Sequence, residues 1–186
     1  VVNAQDSEKR VPLRSIGAVF VETPPVLDGD LSDKCWQQME FQGGFRRWEE
    51  PGRGGPARVE TQFAIGYDQE YLYVGLNMLG EDPDKLLCAI TRRDDDLDKD
   101  DNICLYIDTF YDLRSAYFFQ VNPIATQRDL YSTANGSSVD IGWDGIWDAE
   151  TKKHKDGWSA EFRIPFKILR LNWSENMTFG FDIVRG

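Results

Sequence analysis

The stretch ARVETQFAIGYDQEYLYVGLNML, residues 57–79, predicts two neighbouring β-strands. In its second half, one face carries Leu72, Val74, Leu76 and Met78, and the other carries Tyr71, Tyr73 and Asn77. This period of two residues indicates a strand with one face in a core and the other half-exposed. The polar residues Asp68, Gln69 and Glu70 separate the two halves, so we expect an antiparallel hairpin.

The same alternation recurs along the chain. It is clearest in NICLYIDTF, where one face carries Ile103, Leu105 and Ile107, and in GWSAEFRIPF, where one face carries Trp158, Ala160, Phe162 and Ile164. We count about nine short strands and one or two short helices, without the strand–helix–strand spacing of a parallel sheet. The sequence therefore predicts an all-β fold, an antiparallel β-sandwich of jelly-roll type, as one domain over residues 1–186.

Composition limits the classes of partner. The 186 residues carry a net charge of -11, which repels nucleic-acid backbones and anionic lipid surfaces. We therefore expect no nucleic-acid partner. A chain with this charge binds calcium or neutral ligands more readily. No apolar run approaches the roughly 20 residues that cross a bilayer as a helix. The three cysteines are too far apart for a metal-binding pair and too few for a disulfide framework.

The first residues, VVNAQ, resemble the end of a secretory signal peptide. Residues 1–4 fit a small-residue cleavage site before Gln5. We therefore interpret residues 1–4 as a signal-peptide remnant and expect a secreted or cell-envelope protein.

An acidic stretch, RRDDDLDKDDNICLYIDTFYD, occupies residues 92–112. Its alternating aspartates do not fit an EF-hand, because Lys99 replaces the glycine at position six and Leu105 the glutamate at position twelve. Two interpretations remain open. Either the loop is solvated and partly neutralised by neighbouring basic residues, or it binds a structural calcium ion in another geometry. The candidate ligands are Asp94, Asp96, Asp98 and Asp101.

Tryptophans in polar loops are candidates for ligand contact, because sugar rings stack on aromatic side chains. In GWDGIWD, Trp143 lies beside glycines and Asp144, so it can either contact a ligand or pack within the loop. Trp48, in a Gly- and Pro-rich loop, is the second candidate. Trp36 and Trp158 lie on periodic apolar faces and are expected in the core.

The sequence gives little support for catalysis. Glu161 could pair with Asp144 or Asp148 as two glycosidase carboxylates, but it also alternates with Arg163 on one strand face, which predicts an ordinary ion pair. His154 is the only histidine and lies in a basic turn, so a histidine-based triad is not expected. We predict that the domain is not an enzyme.

Six segments in register resemble a family 9 carbohydrate-binding module. They span Val26 to Arg185 and are PPVLDGDLSDKCWQQ, YDQEYLYVGLNMLGEDPD, DDNICLYIDTFYD, FFQVNP, GWSAEFRIPFKIL and FGFDIVRG. The motifs TRRDD, AYFFQVNP, WDGIWDAET and FRIPF resemble those of a subset of that family. In this subset the module is the N-terminal part of an exported bacterial protein that continues into an outer-membrane β-barrel region.

The resemblance implies a β-sandwich that binds a glycan without catalysis, in the envelope of a Gram-negative bacterium and linked to carbohydrate catabolism. It also implies structural calcium. Gln120 and Asn122 fall where the family has an arginine and an asparagine in the sugar site. Leu97 aligns near the position of a tryptophan in the family's sugar site. Cys104 aligns with a polar residue that contacts the sugar there. We therefore predict that the sugar ring stacks on Trp143 or Trp48. The alternative is a structural or docking domain without a sugar ligand, and a third reading is part of a glycoside hydrolase.

Overall fold

The computed structural model describes residues 14–47, 54–174 and 177–186. Two five-stranded sheets contain all ten strands of this part of the chain, and the sheet prediction from the sequence is confirmed as a β-sandwich. The first sheet has the order β1-β2-β3-β9-β8. Its strands are β1 (Val19–Phe20), β2 (Thr61–Tyr67), β3 (Tyr71–Leu79), β8 (Asp148–His154) and β9 (Gly157–Pro165). The two residues of β1 pair in parallel with β2, and every other pair is antiparallel.

The second sheet has the order β10-β4-β5-β6-β7 and is entirely antiparallel. Its strands are β4 (Ile103–Asp108), β5 (Ala116–Val121), β6 (Gln127–Thr133), β7 (Ser138–Asp140) and β10 (Gly180–Arg185). Three consecutive strands are joined by short connections, and the last strand of the chain returns beside the first of them, which is a Greek key. Within residues 14–47, 54–174 and 177–186, helical structure is limited to α1 (Lys34–Gln37) and to 3₁₀ turns at Leu97–Lys99, Ala134–Gly136 and Phe166–Ile168. In the described residues, no helix is long and apolar enough to span a membrane.

The main core lies between the two sheets. All the apolar faces predicted from β3, β4 and β9 point into it and are buried. Trp158 belongs to this core, as expected, and the aromatic ring of Trp147 stacks on that of Phe162. The period of two residues predicted these faces correctly because one side of each strand must leave water.

Part of the outer face of the first sheet is also buried, which the sequence did not indicate. Tyr73, predicted on a half-exposed face, is 1% exposed because Trp36 of α1 packs on it. The loop before α1 docks on β8 and β9 at Gly29, whose φ of 78° and close approach to the backbone of Thr151 exclude a side chain. The β3 strand is therefore covered on both faces.

Candidate functional site

The acidic loop is anchored by its own aspartates. The Asp100 carboxylate accepts hydrogen bonds from the backbone amides of Ala89 (3.0 Å) and Ile90 (2.9 Å), and Asp101 accepts one from Leu87 (2.6 Å). Leu97 is fully buried beneath the loop. These contacts hold the loop against the preceding chain, so much of its negative charge serves the fold.

Asn122, which the family resemblance placed in a sugar site, is fully buried in this anchor. Its amide nitrogen donates to the Ile90 carbonyl (2.8 Å) and to Asp100 (2.9 Å). Its carbonyl oxygen accepts from the backbone amides of Ile124 (3.2 Å) and Thr126 (2.9 Å). Two donors and two acceptor positions are the full capacity of an asparagine side chain. Asn122 therefore supports the loop and has no free group for a ligand.

Replacing Asp100 by asparagine is expected to destabilise the domain by about 2 kcal/mol at pH 7, because an amide has one acceptor oxygen where the carboxylate has two. Burial raises the pKa of Asp100, but the amides of Ile90, Ala89 and Asn122 outweigh burial and hold that pKa below its ordinary value of 3.8. The stability that the Asp100 carboxylate contributes is therefore fully present above its pKa in the unfolded state. This stability is lost as pH falls through its pKa in the folded state. Urea denaturation should show that the difference in free energy of unfolding between wild type and Asp100→Asn is smaller at pH 3 than at pH 7. A gap that does not change with pH would contradict this role.

Gln120 is also fully buried, on the outer side of β5. Its amide nitrogen donates to the carboxylate of Asp98 (2.9 Å) and to the side-chain oxygen of Asn102 (3.0 Å). Its carbonyl oxygen accepts from the Arg128 guanidinium (3.4 Å). Gln120 therefore does not reach the surface itself, but it positions two charged groups that do.

An exposed aromatic side chain, Tyr106, lies beside these charged groups on the outer face of the second sheet. Asp182 on β10 is its direct cross-strand partner, and Cys104 lies two residues before it on the same face. Burial raises the pKa of the Tyr106 hydroxyl, and the nearby carboxylates of Asp98 and Asp182 raise it further. This surface is named the Tyr106 face, and it consists of Asp96, Asp98, Tyr106, Arg128 and Asp182.

Arg128 is paired within the Tyr106 face. Its guanidinium lies 3.4 Å from a carboxylate oxygen of Asp96 and 3.8 Å from one of Asp98. Both carboxylates remain more than half exposed. Burial raises the pKa of the Cys104 thiol to about 12, which keeps this thiol neutral at physiological pH. The face can therefore offer an aromatic plane, two accessible acceptors and a guanidinium donor.

Trp143 lies elsewhere. Its ring contacts the inward-pointing rings of Tyr117 (5.1 Å between centroids) and Phe119 (5.8 Å) at the rim of the core. Phe119 and Gln120 are consecutive on β5 and point to opposite faces. The structure therefore does not bring Trp143 together with Gln120 and Asn122. Asp144, beside Trp143, forms an ion pair with Arg93 at 3.2 Å.

Each of the four aspartates proposed as calcium ligands has a hydrogen-bond or ion-pair partner within the domain, and Asp96 and Asp98 share Arg128. Asp94 pairs with Arg93 (3.6 Å), and Asp96 caps the 3₁₀ turn by accepting from the amide of Asp98. Asp98 is held by Gln120, and Asp101 by the backbone of Leu87. Among the described residues, no group of three or more histidine, cysteine or acidic side chains is arranged to hold a metal ion. Calcium binding by this loop remains a prediction.

Sequence reasoning missed Tyr106, Arg128 and Asp182. The alternation in ICLYID could have revealed Tyr106, because it points away from the face that buries Ile103, Leu105 and Ile107. Arg128 and Asp182 carried no comparable signal, since their positions on the same face depend on strand pairing across the sheet. Trp48, the second stacking candidate, and residues 1–4 lie outside the described residues.

Solved structures with a similar fold include the following three. Two are family 9 carbohydrate-binding modules from Caldicellulosiruptor kristjanssonii. The one in complex with cellotriose has a TM-score of 0.57 at 20% identity, covering 90% of this chain and 75% of that one. The one in complex with glucose has a TM-score of 0.55 at 19% identity, covering 90% and 76%.

The third structure is a protein of Bacteroides uniformis described as a candidate carbohydrate-binding protein. It has a TM-score of 0.69 at 11% identity and covers 90% of this chain and 81% of that one. No protein-family model matches the chain, and no curated protein does. At these identities the similarity establishes the fold, which is that of a family 9 carbohydrate-binding module.

Proposed function

We propose that the domain is a non-catalytic carbohydrate-binding module and that it binds sugar on the Tyr106 face. The observation that carries the proposal is the position of Tyr106, an exposed aromatic ring set among hydrogen-bonding groups. The apolar side of a pyranose ring stacks on such a plane, while its hydroxyl groups need polar partners around the rim. Asp98 and Arg128 supply an acceptor and a donor beside the ring.

Two further observations support this assignment. The Tyr106 face is rigid for a surface site, because the buried Gln120 holds both Asp98 and Arg128 and the anchored loop holds Asp98 from the other side. Preformed polar groups lose little conformational entropy when they bind. In addition, two structures of similar fold were solved in complex with glucose and with cellotriose, which makes these the first sugars to test.

Tyr106→Ala is expected to weaken sugar binding about tenfold or more, because an aromatic stacking contact at the centre of a site is removed. Tyr67→Ala is the matched control. Tyr67 is 38% exposed against 36% for Tyr106, and each ring makes one edge-on aromatic contact, with Phe20 and Phe118 respectively. Calorimetric titration with cellotriose should show the loss in Tyr106→Ala alone. Equal affinity in wild type and Tyr106→Ala would place the sugar elsewhere.

Stacking of the sugar on Trp143 or on Trp48 remains a separate prediction, which the same cellotriose titration tests. Trp143→Ala is expected to lower stability more than affinity, since its ring packs on Tyr117 and Phe119. If Trp48→Ala abolished binding while Tyr106→Ala did not, the site would lie at the Gly- and Pro-rich loop.

We also propose that the domain works outside the cytoplasm, as part of an exported envelope protein concerned with carbohydrate catabolism. The support is the resemblance of its motifs to such modules. The same resemblance predicts an outer-membrane β-barrel region in the same polypeptide. Fractionation of cells expressing the full-length protein, with detection by an antibody to this domain, tests the location. Recovery in the cytoplasmic fraction would contradict it.

A further inference from the structure

The sandwich is open along one side, where β2 of the first sheet faces β10 of the second. A groove of about 670 Å³ lies there. The aromatic rings of Phe63 and Phe181 stack across it, with their centroids 6.5 Å apart and their planes at 20°. β10 is the last strand of its sheet, whereas the first sheet continues past β2 to β1. The inner face of the first sheet is therefore left uncovered beyond this aromatic pair.

The groove is partly exposed, and apolar side chains form a strip along each of its two walls. Alternate residues of β2, namely Phe63, Ile65 and Tyr67, line one wall, and Phe179 and Phe181 line the other. Phe63, Ile65, Phe179 and Phe181 also contact the main core but are not fully buried. Ligand sites in proteins commonly have volumes of about 300–1,000 Å³, with mostly apolar walls and a few polar groups. The volume of the groove lies in this range, and its lining combines the apolar strips with polar residues such as Gln42 and Thr178.

A single charge distinguishes the groove. Arg14 is the only charged side chain among its described lining residues, in a chain whose net charge is -11. The guanidinium donates one hydrogen bond, to the Gly43 carbonyl at 2.8 Å. A guanidinium has five N–H donors, so it retains capacity for an anion. Apolar strips with one cation beside them are complementary to a molecule with a long apolar tail and an anionic head.

We propose that this groove binds a monomeric long-chain carboxylic acid, with its tail along Phe63 and Phe181 and its carboxylate at Arg14. The site is separate from the Tyr106 face. Phe181 points to the inner side of β10, whereas the next residue, Asp182, points to the outer side with Tyr106. The two sites can therefore be tested independently.

Dodecanoate below its micellar concentration and its methyl ester form a matched pair of probes. Calorimetric titration of the domain should show saturable one-to-one binding of dodecanoate that is about tenfold weaker in Arg14→Gln, because a charge-assisted hydrogen bond is lost. The ester should bind wild type and Arg14→Gln with equal affinity. Arg163→Gln, which changes an arginine on the outer face of the first sheet paired with Asp148, is the control and should leave dodecanoate binding unchanged.

A second variant tests the groove itself. Ala18 lines it from the exposed segment just before β1, so Ala18→Trp should fill the groove and abolish dodecanoate binding without disturbing the core. Cellotriose binding should survive this change. The proposal is overturned if dodecanoate does not bind, or if Arg14→Gln binds it as wild type does. Unchanged dodecanoate binding in Ala18→Trp, binding only to anionic vesicles, or loss of cellotriose binding in Ala18→Trp would also overturn it.

Discussion

Replacing Glu161 by alanine is expected to lower the free energy of unfolding by about 4 kcal/mol, because three donors, two of them buried, lose their acceptor. Glu161 is fully buried on the outer side of β9. Its carboxylate accepts from the Trp36 indole (2.6 Å) and from the backbone amides of Asp28 (3.0 Å) and Gly29 (2.8 Å). A loss of this size is a large share of the stability of an ordinary domain.

Urea denaturation measures this effect as a shift of the midpoint. Glu150→Ala is the matched control, since Glu150 is the cross-strand partner of Glu161 and is exposed. The control should change stability little, as surface substitutions usually do. If Glu161→Ala and Glu150→Ala behaved alike, the Glu161 carboxylate would not hold the segment that covers part of the first sheet.

The second large effect is expected for Asp129→Ala, with a loss of about 3 kcal/mol. Asp129 is 2% exposed and accepts hydrogen bonds from the Trp147 indole (2.7 Å) and the backbone amide of Gly145 (3.1 Å). It also forms an ion pair with Arg93, whose guanidinium lies over the Trp147 ring. Removing the carboxylate leaves two donors unsatisfied inside the domain and releases the loop that carries Trp147.

Asp144→Ala is the control for this prediction, because Asp144 pairs with the same arginine but is mostly exposed. Thermal unfolding should show a lower melting temperature for Asp129→Ala and almost none of that change for Asp144→Ala. Equal shifts for both variants would mean that the ion pair with Arg93, rather than the buried hydrogen bonds, determines the stability.

Glu161 shows where sequence reasoning reached its limit. It was predicted to pair with Arg163, two residues away on the same strand face, but Arg163 pairs instead with Asp148 at 2.8 Å. The covering segment lies over Glu161 and leaves Arg163 partly exposed. Strand alternation places both residues on one face correctly. It cannot show that a segment about 130 residues away covers half of that face.

The acidic stretch shows a similar limit. A run of aspartates predicts exposure, yet Asp100 is buried as an acceptor for backbone amides, while Asp98 remains at the surface. The family resemblance predicts ligand contact by Gln120 and Asn122, and in the structure the side chains of both residues make hydrogen bonds inside the domain. Hydrogen-bond satisfaction depends on the packed structure, so it cannot be derived from residue type.

The most direct test of the proposed function is calorimetric titration of the wild-type domain with glucose, cellotriose and a panel of other mono- and oligosaccharides, in calcium and in chelator. The predicted result is a saturable one-to-one heat signal with at least one sugar. Because its own aspartates hold the acidic loop, sugar binding should be the same in calcium and in chelator. Absence of heat across the panel, in a protein shown to be folded by its cooperative unfolding, would contradict carbohydrate binding and favour a docking domain.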